Sequence, residues 1–283
     1  MVSVAYLGEP GAYSEEGARA LFPDGEHRSF PSIRKVFEAV EVGRVDFGLV
    51  PMDNSQAGSI NETYDLFLKH GLHLVGETVV RVDHCLLALP GTAIDRVHEV
   101  VSHPQAIAQS EEFLSALEVE VRPDYNTAGA AKRIADEQLE GVAAIASRRA
   151  AELYGLEVLA ESVQTYPDNY TRFGVLSRRP EPLGDPTQSS LVFGVGHVAG
   201  SLYRCLGALA TRHLNLTKLE SRPRAGRPWE YVFYVDVEAA ADEPAMVEAL
   251  TELSEHATFT RLLGSYARSE RRPAGPSSSS RST

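Results

Sequence analysis

The feature that most constrains this chain is a change of rhythm near residue 178. Before it, short apolar runs alternate with longer runs of helical period, the pattern of an α/β unit with mostly parallel strands. Strands are predicted at 2–7, 46–50, 97–102, 118–122, 142–146 and 173–176. Helices are predicted at 14–22, 32–42, 59–69, 105–117, 127–137 and 147–154, several opening on a Ser or Thr able to cap the first turn. Two extended stretches, 72–89 and 157–164, are long enough to carry the chain out of one lobe and back. The first unit, 1–178, is therefore expected to be bilobal, with lobes at about 1–78 plus 160–178 and at 79–159, and a cleft between them.

The segment 179–188 carries three prolines and reads as a linker. Beyond it come a strand at 190–196, a helix at 200–213, a strand at 216–220, a turn at 224–228, a strand at 230–238, a helix at 243–255 and a strand at 258–266. That order is βαββαβ, a ferredoxin-like plait over 189–267. The tail, 268–283, is too polar to bury anything and is expected to be disordered.

Composition narrows the function classes. The net charge is −12, with no Lys/Arg cluster before the last twenty residues, which argues against a nucleic-acid partner. No apolar stretch approaches a membrane span, and the chain opens on a strand without a basic leader, so a cytoplasmic protein with no membrane role is expected. Cys85 and Cys205 lie far apart in apolar runs and read as buried thiols in a reducing compartment. No Cys/His set has metal-ligand spacing and no nucleotide-binding glycine motif is present, so neither metal nor cofactor is expected. The acidic balance imposes a condition: an anionic ligand would need donors concentrated locally in the cleft.

In open parallel sheets, ligands sit beyond the carboxyl ends of the strands, where helix N–H groups converge. Those positions here carry GEPGAYS (8–14), DNS (53–55), HPQ (103–105), Asn126 with Thr127, and Ser147. Each alone is a common turn or cap; together they point to an anionic or hydroxylated small molecule. The polar loop at 164–173 ends in Thr171 and Arg172, just before the strand at 173–176. A guanidinium can hold a carboxylate by two parallel bonds and a hydroxyl can donate one directed bond. The alternative is that the pair only stabilises the start of the strand. His103, beside Pro104 at a helix start, is read as structural.

Taken in order, these segments resemble prephenate dehydratases, the monofunctional bacterial type related to plant arogenate dehydratases. GEPGAYS (8–14), VPMDNS (50–55) with GSI (58–60) and TYDL (63–66), HPQAIAQ (103–109), TAGAA (127–131), AAIAS (143–147) and TRF (171–173) match the family's blocks over residues 2–266. The resemblance implies two lobes like type II periplasmic binding proteins and a C-terminal ACT domain that binds phenylalanine at a dimer interface. ESRP (220–223) matches an effector motif of that domain, and Gly200-Ser201-Leu202 matches another by its distance from Asn215; the GAL run at 207–209 lies inside the helix and reads as core. Asp53, Thr165 and Ser201 depart from the family's usual Glu, Asp and Ala.

The reaction so implied removes the ring hydroxyl and ring carboxylate of prephenate, as water and CO2, to give phenylpyruvate. Aromatisation drives it, and the slow event is departure of hydroxide. Thr171 is the expected catalytic donor to that oxygen. Ser14, Asn54, Ser55, Thr127, Arg172 and Phe173 are the expected substrate-binding residues. Gly200, Ser201, Leu202, Asn215, Leu216, Glu220, Ser221, Arg222 and Pro223 form the expected phenylalanine site, with a homodimer or homotetramer built through the ACT domains. Arogenate carries an additional ammonium, which Asp53 or Glu9 could receive. A non-catalytic solute-binding protein and a ligand-responsive regulator are the rival classes.

Overall fold

The computed structural model describes residues 1–224 and 230–269. The turn expected at 224–228 lies almost wholly outside the described residues, as does the tail beyond 269. Three sheets organise the chain.

The first contains β1 (Ser3–Leu7), followed by α1 (Tyr13–Leu21), β2 (Glu26–Phe30), α2 (Ile33–Glu41), β3 (Phe47–Asn54), the two-residue β4 (Gly58–Ser59), α3 (Asn61–Lys69) and β5 (His73–Arg81). The chain then crosses to a second lobe: β6 (Cys85–Ala88), β7 (Glu99–Ser102), α4 (Pro104–Gln109), α5 (Glu111–Leu117), β8 (Glu120–Pro123), α6 (Thr127–Glu137), β9 (Val142–Ala146), α7 (Arg148–Tyr154) and β10 (Glu157–Ala160). It returns as β11 (Tyr170–Ser177), which inserts between β3 and β5, antiparallel to both. The sheet orders are β2-β1-β3-β11-β5 and β10-β6-β9-β7-β8.

The α/β fold class is as expected, but the sheets are less uniformly parallel than the alternation predicts. Each crossing strand arrives running against its neighbours: β11 in the first sheet, β6 in the second. Edge strand β2, EHRSF, escapes the sequence reading because it is half-exposed and polar and lacks an apolar face. The helix expected over 105–117 is two helices, broken at Ser110, which is the C-cap of the first and the N-cap of the second at φ −116° and ψ 21°.

The third unit is β12 (Gln188–Gly194), α8 (Ser201–Ala210), β13 (Leu216–Pro223), β14 (Tyr231–Val237), α9 (Pro244–His256) and β15 (Phe259–Tyr266), an antiparallel sheet in the order β13-β14-β12-β15. One face of this plait holds α8 and α9 over Leu191, Phe193, Val235 and Val237. The other face is not solvated. Val192, Val232, Tyr234, Leu263 and Tyr266 share one core with Met52, Tyr64 and Leu74 of the first lobe. Contact is so close that a Cβ on Gly264 of β15 would stand 1.7 Å from the Leu74 carbonyl oxygen of β5, so only glycine fits there. Arg268 and Ser269 continue the attachment, their backbone N–H groups donating to Thr187 Oγ1 (3.0 Å) and Glu77 Oε1 (2.9 Å).

Candidate active site

The two crossings run side by side, Val82 N donating to the Asn169 carbonyl (2.7 Å) and Val163 N to that of His84 (2.9 Å). Above them the lobes touch. Ser147 Oγ donates to the Gly11 carbonyl (2.7 Å), Tyr154 OH to that of Pro10 (2.7 Å), and Arg149 meets Glu15 at 3.2 Å. Gly11 sits at φ +88°, and a Cβ there would lie 2.9 Å from Ala150 Cα, so a side chain would wedge the lobes apart. Beside this contact burial pushes the Glu16 carboxyl up to about 7.

Between crossings and contact lies a cavity of about 120 Å³ lined by Tyr13, Asn54, Val82, His84, His103, Gln105, Ala106, Gln109, Thr127 and Thr171. Ligand pockets commonly span about 300–1,000 Å³, so this cavity is smaller than one that encloses a drug-sized molecule.

Thr171 stands at the start of β11, opposite Asn54 at the end of β3. A chain of amides fixes its hydroxyl. Asn54 Oδ1 accepts the backbone N–H groups of Gln56 (3.1 Å) and Ala57 (2.9 Å), so its Nδ2 must point the other way. That Nδ2 donates to Asn169 Oδ1 (2.8 Å) and Thr171 Oγ1 (3.1 Å). Asn169 Nδ2 in turn donates to Gln109 Oε1 (3.0 Å), which also faces His84 Nε2 at 3.1 Å. An acceptor there assigns the proton to Nε2 of His84. Burial holds His84 below the usual histidine range and so keeps it neutral, and burial also lowers His103. The consequence for Thr171 is directional: its oxygen is already an acceptor, which leaves its proton for an acceptor in the cavity.

Asn54, Thr127 and Thr171 line this cavity, whereas Asn54, Ser55 and Arg172 line another, of about 290 Å³, with Lys218 and Asp236 of the plait. Arg172 is 6% exposed and lies on the opposite face of the sheet, since successive strand residues alternate. There its Nε donates to Asp53 Oδ2 (2.8 Å), and Nη1 meets Asp236 Oδ2 of the plait at 2.9 Å and Glu77 Oε2 at 3.2 Å. Phe173 returns to the first face, but deeper, in the core with Tyr6, Leu49 and Val75. Ser14 Oγ is committed to the Leu7 carbonyl. Ser55 Oγ accepts from Tyr170 N (2.9 Å) and donates to the Asp168 carbonyl (3.2 Å), which ties down the loop that delivers Thr171. Asp53 is also turned away from the cleft. Burial pushes its carboxyl up, but Arg172 and Lys218 outweigh that and hold it below the usual carboxylate range.

The sequence reading passed over His84 and left Tyr13, Gln109 and Asn169 inside named segments without roles. Their signal was positional: His84 and Asn169 lie on the two crossings, where a bilobal chain must pass the cleft twice.

In the plait, Gly200 adopts φ +80° before α8, and Ser201 is buried at its first turn. Asn215 and Leu216 lie beyond the other end of that ten-residue helix, about 15 Å away. Lys218, Glu220 and Arg222, alternate residues of β13, face the first lobe. Glu220 Oε2 accepts from Ser59 Oγ (2.9 Å) and Arg222 meets Asp65 at 2.9 Å. Two residues of the expected effector motif therefore hold the interdomain contact.

A family model for prephenate dehydratase matches residues 4–181. Arogenate dehydratase/prephenate dehydratase 2, chloroplastic, of Arabidopsis thaliana is 44% identical over 276 residues, covering 94% of this chain and 72% of that protein. Arogenate dehydratase 1 of Petunia hybrida is 43% identical over 281 residues, covering 93% and 66%. Among solved structures, a prephenate dehydratase in complex with L-Phe from Arthrobacter aurescens superposes with a TM-score of 0.88 at 28% identity over 97% of this chain and 92% of that one. Another, described as GqqA, a novel type of quorum quenching acylase, gives 0.85 at 35% identity over 97% and 98%. The family model spans both lobes and the similarity to the Arabidopsis protein runs through the plait, so this chain is a dehydratase of the prephenate dehydratase family.

Proposed function

We propose that the chain converts prephenate to phenylpyruvate, CO2 and water, with Thr171 donating to the departing ring oxygen. The observation that carries this reading is the direction of the Thr171 hydroxyl, whose oxygen accepts from Asn54 Nδ2 at 3.1 Å. An alcohol is too weak an acid to give up its proton outright. As a fixed donor in a space shielded from water, it lowers the barrier as an oxyanion-hole donor does. The ring carboxylate loses its charge on the way to CO2, so a cation gripping it would oppose the reaction. No Lys or Arg side chain lines the cavity among the described residues, which suits that requirement. Thr127, at the start of α6, is the proposed contact for the side-chain carboxylate, on the side of the cavity formed by the second lobe.

Arogenate is the second substrate to weigh, since many curated relatives are arogenate dehydratases. Its ammonium asks for a carboxylate, and no Asp or Glu lines the cavity among the described residues. Asp53 is bound to Arg172 and Lys218, and Glu9 meets Lys132 at 3.2 Å. This supports prephenate. Amide hydrolysis, as the acylase relative's description suggests for that protein, would need a base at the Thr171 hydroxyl; its partner is an amide N–H, which cannot take a proton.

The plait is proposed to be an ACT domain that binds L-phenylalanine, the ligand of the Arthrobacter relative. Gly200–Leu202 and Asn215–Leu216 stand at opposite ends of α8, so one copy cannot close them around a single amino acid. Two copies can, and a homodimer or homotetramer follows. Buried free thiols at Cys85 and Cys205 suit the reducing cytoplasm. The deciding experiment offers prephenate and arogenate separately and identifies phenylpyruvate or phenylalanine by mass. Phenylalanine from arogenate as the faster product would overturn the substrate assignment.

A further inference from the structure

The catalytic pair and the interdomain charges are neighbours in the same ladder. Thr171 is registered opposite Asn54, and Arg172 opposite Asp53, on the same two strands. Between Asp53 and Pro51 that ladder is broken by a bulge whose extra residue, Met52, lies on β3. A bulge leaves a residue unpaired and lets its strand bend, so the register with β11 alone does not hold the end of β3 that carries Asn54, while Thr171 stays in unbroken register with Val80 of β5.

Side chains from the plait brace both strand ends. Asp236 of β14, 4% exposed, meets Arg172 Nη1 at 2.9 Å and is itself held by Ser190 Oγ at 2.5 Å. Lys218 of β13 places Nζ 2.5 Å from Asp53 Oδ1 and 2.7 Å from Ser59 Oγ, over the Tyr64 ring. Tyr64 OH closes the ring of contacts by donating to Asp53 at 3.1 Å. Each strand end therefore carries a cleft residue on one face and, one position away, a charge gripped from the plait on the other.

We propose that Asp236 and Lys218 are positioning residues for the dehydration step: by clamping Arg172 and Asp53 they set the distance and angle between Thr171 and Asn54. The inference deepens the reading of Thr171 as donor and rests on it. It also supplies a route for control. β13 carries both Lys218 and the expected effector residues Glu220 and Arg222, so a ligand that displaces β13 shifts the clamp, and the different grip in two states is the coupling.

The test is steady-state kinetics of the full-length protein. Asp236→Asn and Lys218→Met should each lower kcat by about 10- to 100-fold with KM nearly constant, because a small misplacement of a catalytic group is costly. Asp236→Glu should recover most of the rate. Arg261→Met is the control: Arg261 donates to the Leu72 carbonyl at 2.8 Å, elsewhere on the same interface, so its loss should lower Tm but leave kcat alone. The 13C methyl resonance of Thr171 should move in Asp236→Asn and stay put in Arg261→Met. Wild-type kcat in Asp236→Asn, or an equal fall in Arg261→Met, would overturn the proposal. Should Asp236→Asn fail to fold, Lys218→Met and Asp236→Glu carry the same comparison. Thr171→Ala, assayed alongside, judges the donor role separately, and the methyl shift reports positioning whatever that variant does.

Discussion

The two faces of β11 solve opposite problems with adjacent residues. On the cleft face, Thr171 is oriented by neutral amides that form a chain from Asn54 through Asn169 to Gln109. On the other face, Arg172 is packed among the carboxylates of Asp53, Glu77 and Asp236. Amides fix a hydroxyl's direction without adding charge beside a centre where a carboxylate must become neutral. Charges grip more firmly and suit the face where two domains must stay together. The difference teaches that the proposed donor and the interdomain grip are set on opposite faces of one strand, which separates their chemistry while leaving them joined through its backbone.

That separation can be broken, starting with the largest effect. Arg172→Met should cost about 3–5 kcal/mol of stability, because it leaves buried carboxylates without their counter-ion; the check is the urea unfolding midpoint, and unchanged stability would refute the assignment. Thr171→Ala should show the opposite signature, a loss of about 10²–10³ in kcat, or roughly 3–4 kcal/mol, with the midpoint unmoved. Asn54→Asp sharpens the contrast. It keeps the shape and the acceptor for Gln56 and Ala57 but replaces the donor with an acceptor, so the Thr171 proton turns toward residue 54 and kcat should fall roughly 10-fold or more; an unaffected rate would show that the amide chain does not direct the hydroxyl.

The smallest effect concerns the lobe contact on the cleft side. Glu16 has its pKa raised by burial from 4.5 to about 7. The folded state therefore holds this proton where the unfolded chain has released it. Stability contributed by neutral Glu16 is present at low pH and declines as pH rises from 4.5 to about 7. Glu16→Gln should flatten that decline in unfolding midpoints measured across the same range, and an identical slope in both proteins would remove Glu16 as its source.

Much of this was legible in the residue order. Strand and helix periodicity gave both lobes and the plait, because apolar faces must be buried whatever the tertiary context. Asn54 and Thr171 were legible because polar residues at strand ends are where a cleft forms. Arg172 was expected beside Thr171 because the Thr-Arg pair was read as one unit, although a strand of period two must send adjacent side chains to opposite faces. Asp236 and Lys218 gave no signal. A charged residue in a predicted strand looks solvent-facing until another domain covers it, and no local pattern states which face of the plait will be covered.

The position of β11 has a consequence for how the chain is made. Thr171 and Asn54 pair across 117 residues, and β11 fills the gap between β3 and β5. All strands of the second sheet have been synthesised by residue 160, while the first still lacks a central strand. On the ribosome, the second lobe can mature first, while the first must wait for a late segment to complete its sheet. The proposed donor and the completion of the first sheet thus arrive with the same eight residues, so a translation product that stops before residue 170 lacks both.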